Sequence, residues 1–139
     1  MSEITFFVPL PPPELRSNSR AHYRTKTAAK QVYSREVWTW FKLADQRLAI
    51  DAILDLPWQR ARVTYTWRYA GVAPDKQNLG ANLKALTDIL CMAPNNGLQA
   101  NRTTYLGLVE DDKGVDPVYQ LEHVKRRAAQ GVSVKIEKL

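Results

Sequence analysis

The chain of 139 residues has a single cysteine, Cys91, and no apolar run that approaches the roughly 20 residues needed to span a bilayer. One cysteine excludes an internal disulfide framework and a zinc cluster built from several cysteines. The first fifteen residues also lack the basic start and the small-residue cleavage site of a secretory signal. We therefore expect a protein of a reducing cytoplasm that has no membrane partner.

Acidic side chains are missing from one long stretch of the N-terminal half. The chain carries 20 Lys and Arg against 14 Asp and Glu, a net charge of +6. Between Glu14 and Glu36 there is no acid, yet six basic residues fall there: Arg16, Arg20, Arg24, Lys26, Lys30 and Arg35. Such a surface suits nucleic-acid phosphates, and we favour that interpretation over a merely solvated loop and helix face.

An apolar content of 45% with 24% charged residues indicates one folded domain over residues 1–139. Residue alternation predicts strands over 2–8, 62–69, 104–109, 118–124 and 132–136, and three- or four-residue spacing predicts helices over 25–50 and 78–90. The order β-α-β-α-β-β-β predicts an α+β fold with a largely antiparallel sheet and two main helices.

Each predicted helix has an apolar stripe. In the first it comprises Ala29, Tyr33, Val37, Trp40, Ala44 and Leu48, and in the second Leu79, Leu83, Leu86 and Leu90. Lys84 and Asp88 lie opposite the leucines, one turn apart. We expect the four tryptophans, Trp38, Trp40, Trp58 and Trp67, to lie in the core or at a dimer interface.

Two acidic groups flank the second predicted helix. Asp75 and Gln77 precede it, and the run Glu110-Asp111-Asp112 follows the next predicted strand. Carboxylates converging from two loops would suit Mg²⁺, which prefers hard oxygen ligands. Helix capping by Asp75 and a solvated acidic turn are the alternative interpretations.

The ordered pattern Pro74-Asp75-x-Gln77-Asn78-Leu79-x-x-x-Leu83-Lys84-x-x-x-Asp88-x-Leu90, with Gly107-x-x-x-Asp111-Asp112 after it, resembles the RusA family of Holliday junction resolvases, common in phages and prophages. The N-terminal strand, the proline-rich loop and Ser17-Asn18-x-Arg20-x-His22 before a basic helix are similar to the family's first segment. The resemblance thus covers nearly the whole chain.

The resemblance implies a homodimeric endonuclease of recombination and repair that cuts four-way DNA junctions in the bacterial cytoplasm. It implies Mg²⁺, with Mn²⁺ as a possible substitute, and no small-molecule cofactor. The resemblance assigns catalytic roles to Asp75, Lys84 and Asp112. It implies that Asp75, Asp111 and Asp112 bind the metal, with Gln77 as a weak ligand. Asn78 and Asp88 would support these residues without contacting the metal. DNA contacts fall on Arg16, Asn18, Arg20, His22, Arg24, Lys26 and Lys30.

Gln77 departs from the family pattern, which has a second aspartate at that place. An amide oxygen still coordinates but carries no charge, so we expect weaker metal binding and slower cleavage. The alternative function is a catalytically weakened or silent dimer that binds DNA junctions. A more remote alternative is a basic protein–protein adaptor.

Overall fold

The computed structural model describes residues 3–17, 19–45, 55–94 and 103–139. These residues form a single α+β domain with four strands and three α-helices, which confirms the predicted fold class. The strands are β1 (Glu3–Val8), β2 (Ala61–Tyr69), β3 (Val115–His123) and β4 (Gly131–Lys138), and the helices are α1 (Tyr23–Asp45), α2 (Leu79–Asn82) and α3 (Lys84–Leu90).

The strands form one mixed sheet in the order β1-β4-β2-β3. β4 pairs antiparallel with both β1 and β2, whereas β2 and β3 are parallel, with Ala61 opposite Val115 and Tyr69 opposite His123. Parallel neighbours need a crossover connection, and here that connection contains α2 and α3. The sheet is therefore largely antiparallel, as expected, and the parallel pair places the helical crossover beside β3.

The strand predicted over residues 104–109 is wrong. Only Val109 forms bridges there, to Trp58 and to Cys91, and Gly107 has a positive φ of 67°. The segment instead follows the end of α3, where the amide of Leu106 donates to the carbonyl of Ile89. The alternating apolar residues of this segment thus line the core without forming a strand.

α1 covers one face of the sheet through an apolar stripe close to the predicted one. Tyr33, Val37 and Phe41 are buried, and Phe41 packs edge-on against Phe6 of β1 with ring centroids 5.2 Å apart. Trp40, predicted in the stripe, is 42% exposed. The predicted end of this helix, at residues 46–50, lies outside the described residues.

The second predicted helix is interrupted. A 3₁₀ turn over Lys76–Asn78 leads into α2, and Leu83 separates α2 from α3 with a φ of −103° and a ψ of 6°. All four predicted leucines nevertheless lie fully buried, because helical hydrogen bonds continue across the break. The amide of Leu83 donates to the carbonyl of Leu79, and the amide of Thr87 donates to the carbonyl of Leu83. The stripe survives the break, and the helical segment keeps one charged face toward solvent.

The opposite face of the sheet is polar. Arg62 pairs with Asp116 and Arg68 with Glu122 across the parallel strands. Of the tryptophans, Trp58 and Trp67 lie in the core, while Trp38 is 43% exposed. No helix among the described residues has both the length and the apolar character needed to cross a membrane.

Candidate active site

Lys84 joins two carboxylates from distant parts of the chain. Its ammonium nitrogen lies 3.0 Å from Oδ1 of Asp88 and 3.0 Å from Oδ2 of Asp112. The hydrogen bond with Asp88, and then that with Asp112, raises the pKa of Lys84, so the lysine is a stable cation. Sequence reasoning predicted the pairing of Lys84 with Asp88 one helical turn away, and the structure adds Asp112.

One tight turn and one close approach of the backbone position Asp112. Asp111 caps the 3₁₀ turn over Asp112–Gly114 by accepting a hydrogen bond from the amide of Lys113. Gly114 passes so close to the chain that a Cβ there would lie 2.1 Å from the carbonyl oxygen of Gln59. The turn is thereby fixed against the segment before β2, and its acidic residues stay beside α3.

The carboxyl group of Asp112 is held in its ionised form. A side-chain hydrogen bond with Asp111, followed by the interactions with Lys84, lowers the pKa of Asp112. Both carboxylates are exposed, so water also solvates the charge. Asp112 therefore carries a negative charge at neutral pH, as either a metal ligand or an ion-pair partner of Lys84 requires.

The N-terminal basic stretch also reaches this cluster. The ammonium of Lys30 on α1 lies 3.3 Å from Oδ2 of Asp88, so Asp88 bridges two lysines. Lys26, Lys30, Lys84 and Arg16 line a common cavity of about 280 Å³ between the proline-rich loop and α2–α3. No local sequence pattern links Lys30 with Asp88, because 58 residues separate them.

Four carboxylates line a neighbouring cavity of about 550 Å³: Asp88, Glu110, Asp111 and Asp112. Among the described residues, no group of three or more His, Cys, Asp or Glu side chains could hold a metal ion together. Mg²⁺ commonly takes one or two carboxylates and completes its shell with water and substrate phosphate. Asp111 and Asp112 are two exposed carboxylates of this kind, adjacent in the chain.

Asp75 faces a different cavity, of about 520 Å³, which Arg16, Asn78 and Asn82 also line. Its carboxylate accepts a hydrogen bond from the amide of Gln77, 3.0 Å away, and so caps the 3₁₀ turn that precedes α2. The structure thus brings together Lys84, Asp88, Asp111 and Asp112, but Asp75 and Asp112 line separate cavities. Gln77 is exposed near Asp75, and Asn78 makes no capping side-chain bond.

Residues predicted to contact DNA divide into exposed and partly buried groups. Arg20, His22 and Arg24 are exposed. His22 also accepts a hydrogen bond from the amide of Arg24 at the start of α1. Arg16 is half-buried, donates to the carbonyl of Pro11 and lies over the ring of Trp67, and its burial lowers its pKa. Asn18 lies outside the described residues.

Sequence reasoning missed a tyrosine beside the charged cluster. Tyr119 of β3 shares a cavity of about 180 Å³ with Lys84 and Asp112. The strand alternation puts Tyr119 on the same face as Tyr65, but the parallel pairing that brings β3 under the helical segment has no local signal.

No protein-family model matches the chain, and a search of curated proteins returns no significant match. The geometry of the acid–lysine cluster and its basic surroundings therefore carries the functional argument.

Proposed function

We propose that the protein is a structure-selective DNA endonuclease that acts as a homodimer on four-way junctions in the presence of Mg²⁺. The observation that carries the proposal is the contact of Lys84 with Asp112, 28 residues apart, beside a cavity lined by lysines. Metal-dependent phosphodiester cleavage needs negative ligands for the metal and a fixed cation for the developing charge, next to a surface that holds DNA. The proposal is supported because acidic side chains, the paired Lys84 and further lysines lie next to one another.

Each group has a distinct task in this proposal. A bound Mg²⁺ ion would polarise the scissile phosphate and activate a water, with Asp111 and Asp112 as its protein ligands. Lys84 is already held at the cluster by Asp88 and Asp112, so it can stabilise the charge on the phosphate oxygens without reorganisation. Lys26 and Lys30 would hold the neighbouring phosphates of the strand.

A dimer is part of the proposal because a junction has more than one strand to cut. A 139-residue domain has a radius of gyration of about 14 Å, which is too small to present two separate sites. A twofold-symmetric dimer matches the twofold symmetry of a four-way junction and gives one site to each cut strand.

A second candidate function is junction binding without cleavage. It is supported by the uncharged Gln77 beside Asp75 and by the placement of Asp75 in a cavity that Asp112 does not line. In this alternative Lys84 permanently neutralises Asp88 and Asp112, and the cluster is a structural ion-pair network.

The deciding experiment is incubation with a synthetic four-way junction in Mg²⁺ or Mn²⁺. We expect paired, symmetric nicks that disappear in Asp112→Asn. They should persist in the control Asp116→Asn, which removes an exposed acid on the far face of the sheet. Salt-sensitive binding without nicks in either metal would favour the second candidate. Absence of any salt-sensitive junction affinity would overturn both.

A further inference from the structure

A small cavity opens where the helical segment overhangs the edge of the sheet. Gly80, Lys84 and Thr87 line its helical side, and Val115, Pro117 and Tyr119 line its strand side, with Asp112 at the end. Residues spaced by four and three share one face of a helix, and alternate residues share one face of a strand. The cavity is thus built by α2, α3 and β3, and it includes two residues of the charged cluster, Lys84 and Asp112.

A pair of stacked aromatic rings on neighbouring strands leads to this cavity. The rings of Tyr65 and Tyr119 are stacked, with centroids 5.6 Å apart and an interplanar angle of 15°. Tyr65 is fully buried, but Tyr119 lies on the edge strand of the sheet and is half-buried. Among the described residues no further strand pairs with β3, so the outer ring, that of Tyr119, lines an open cavity.

Gly80 keeps room at the edge of that ring. A Cβ at this position would lie 3.3 Å from the phenol oxygen of Tyr119, which is tighter than ordinary contact. The absence of a side chain at Gly80 leaves the phenol and the cavity accessible from the helical side.

We propose that this cavity is a nucleobase site in which an unpaired base of the DNA stacks on Tyr119 while its phosphate lies at Lys84. The proposal rests on the nuclease function proposed above and names the feature of DNA that the site reads. Aromatic rings accept any base through stacking, and they require the base to be unstacked from its duplex neighbour. Strand-exchange points offer such bases, and intact duplex does not.

The charge beside Tyr119 separates this cavity from a site for an apolar ligand. Lys84 and Asp112 are both exposed and ion-paired at its end, so an occupant with an anionic group can pair with the lysine next to a flat ring. A nucleotide has a flat base and an anionic phosphate joined by a sugar. The base bound in the cavity would therefore determine which phosphate of the strand lies at Lys84.

The test compares Tyr119→Phe and Tyr119→Leu, with metal withheld by EDTA so that no strand is cut. We expect Tyr119→Leu to weaken junction binding by about 5- to 100-fold and duplex binding by less than about 2-fold, while Tyr119→Phe keeps both. Tyr69→Leu is the matched control, because Tyr69 packs edge-on against His123 at the far end of the same strands. Melting curves verify that each variant is folded.

A second readout follows the base itself. With 2-aminopurine placed next to the exchange point, we expect its emission to be more strongly quenched in the wild-type and Tyr119→Phe complexes than in the Tyr119→Leu complex. If Tyr119→Leu does not fold, the change in emission on adding the wild-type protein is compared between the exchange point and the same base inside a duplex arm. An equal change at the two positions overturns the proposal.

Failure of this inference is distinguishable from failure of the proposed function. Salt-sensitive junction binding or cleavage with equal affinity and emission in wild type and Tyr119→Leu overturns the base site alone. A wild-type protein that neither binds nor cuts junctions overturns the proposed function, and the base site with it.

Discussion

The ammonium group of Lys84 lies 3.0 Å from the carboxylate of Asp112, although 28 positions separate the two residues in the chain. Lys84 opens α3, and Asp112 opens the turn that leads into β3. The contact forms because β3 runs parallel to β2 and therefore starts under the end of the crossover. Chain topology, rather than sequence proximity, creates the central pair of the proposed site.

Replacement of Lys84 by alanine should abolish most cleavage while retaining most junction binding. Loss of one fixed charge-stabilising group commonly lowers a rate by about 100-fold or more. In the proposed function the remaining lysines of the cavity still hold the DNA, so affinity should fall only several-fold. Initial cleavage rates and binding isotherms at one salt concentration measure both effects.

Lys135→Ala provides the control for Lys84→Ala. Lys135 pairs with Glu3 and Glu137 on the other face of the sheet, so it has a similar ionic environment away from the site. An equal loss of cleavage in the two variants would mean that net charge, not the position of Lys84, determines the rate.

Restoring an acid at position 77 should leave the Mg²⁺ requirement of cleavage nearly unchanged. Gln77→Asp adds a carboxylate two residues from Asp75, in a turn whose cavity Asp112 does not line, so the new charge is not a ligand of an ion held by Asp111 and Asp112. We expect cleavage to saturate at nearly the same Mg²⁺ concentration as in the wild type. A Mg²⁺ titration of the cleavage rate measures this.

Gln120→Asp is the matched control for position 77, since Gln120 is an exposed glutamine bonded to Thr66 on the far face of the sheet. A several-fold lower Mg²⁺ midpoint in Gln77→Asp alone would show that the turn at Asp75 reaches the ion and that Asp111 and Asp112 do not hold it unaided.

Gly114→Ala should destabilise the fold and weaken the site together. The added Cβ would overlap the carbonyl oxygen of Gln59, and overpacking of this kind costs about 1–3 kcal/mol. We expect a melting temperature lower by several degrees and slower cleavage, because the turn that carries Asp112 must shift. The neighbouring Lys113→Ala, at an exposed position, should melt like the wild type.

Cys91 should be unreactive in the folded protein. Burial, and then the negative charges of Asp112, Asp88 and Asp111, raises the pKa of the Cys91 thiol to about 12. Alkylation requires the thiolate, which is the nucleophile, and a thiol with a raised pKa forms little thiolate. Labelling of Cys91 should therefore stay slow from neutral pH to about pH 9, where an ordinary thiol is largely ionised. Iodoacetamide labelling followed by mass spectrometry, with and without guanidinium chloride, measures this. Native labelling as fast as that of the unfolded chain would contradict it.

The spacing of apolar residues predicted those helices and strands in which buried side chains recur every two to four residues. The leucine stripe of α2–α3 and the alternation of β2 are examples, since each depends on one face meeting the core. Alternation was misleading at residues 104–109, where the chain bridges only at Val109 and bonds mainly to the end of α3. Apolar residues that enter a core from an irregular segment have the same composition as a buried strand.

The site was predictable in part. The turn spacing of Lys84 and Asp88 gave one ion pair, and the acidic run identified Asp112. Lys30 and Tyr119 meet this cluster only through tertiary packing, so no spacing in the sequence pointed to them. The placement of Asp75 in a separate cavity was equally hidden, because it depends on how the turn before α2 is oriented.

The parallel pairing of β2 with β3 has a consequence for how such a protein can diversify. Asp75, Lys84, Asp88 and Asp112 all fall within the single connection between those two strands, whereas β1 and β4 carry none of them. One recombined piece of coding sequence can therefore exchange these four residues as a unit. β1 and β4 would keep their sequences, and a new set of site residues would then lie on the same sheet.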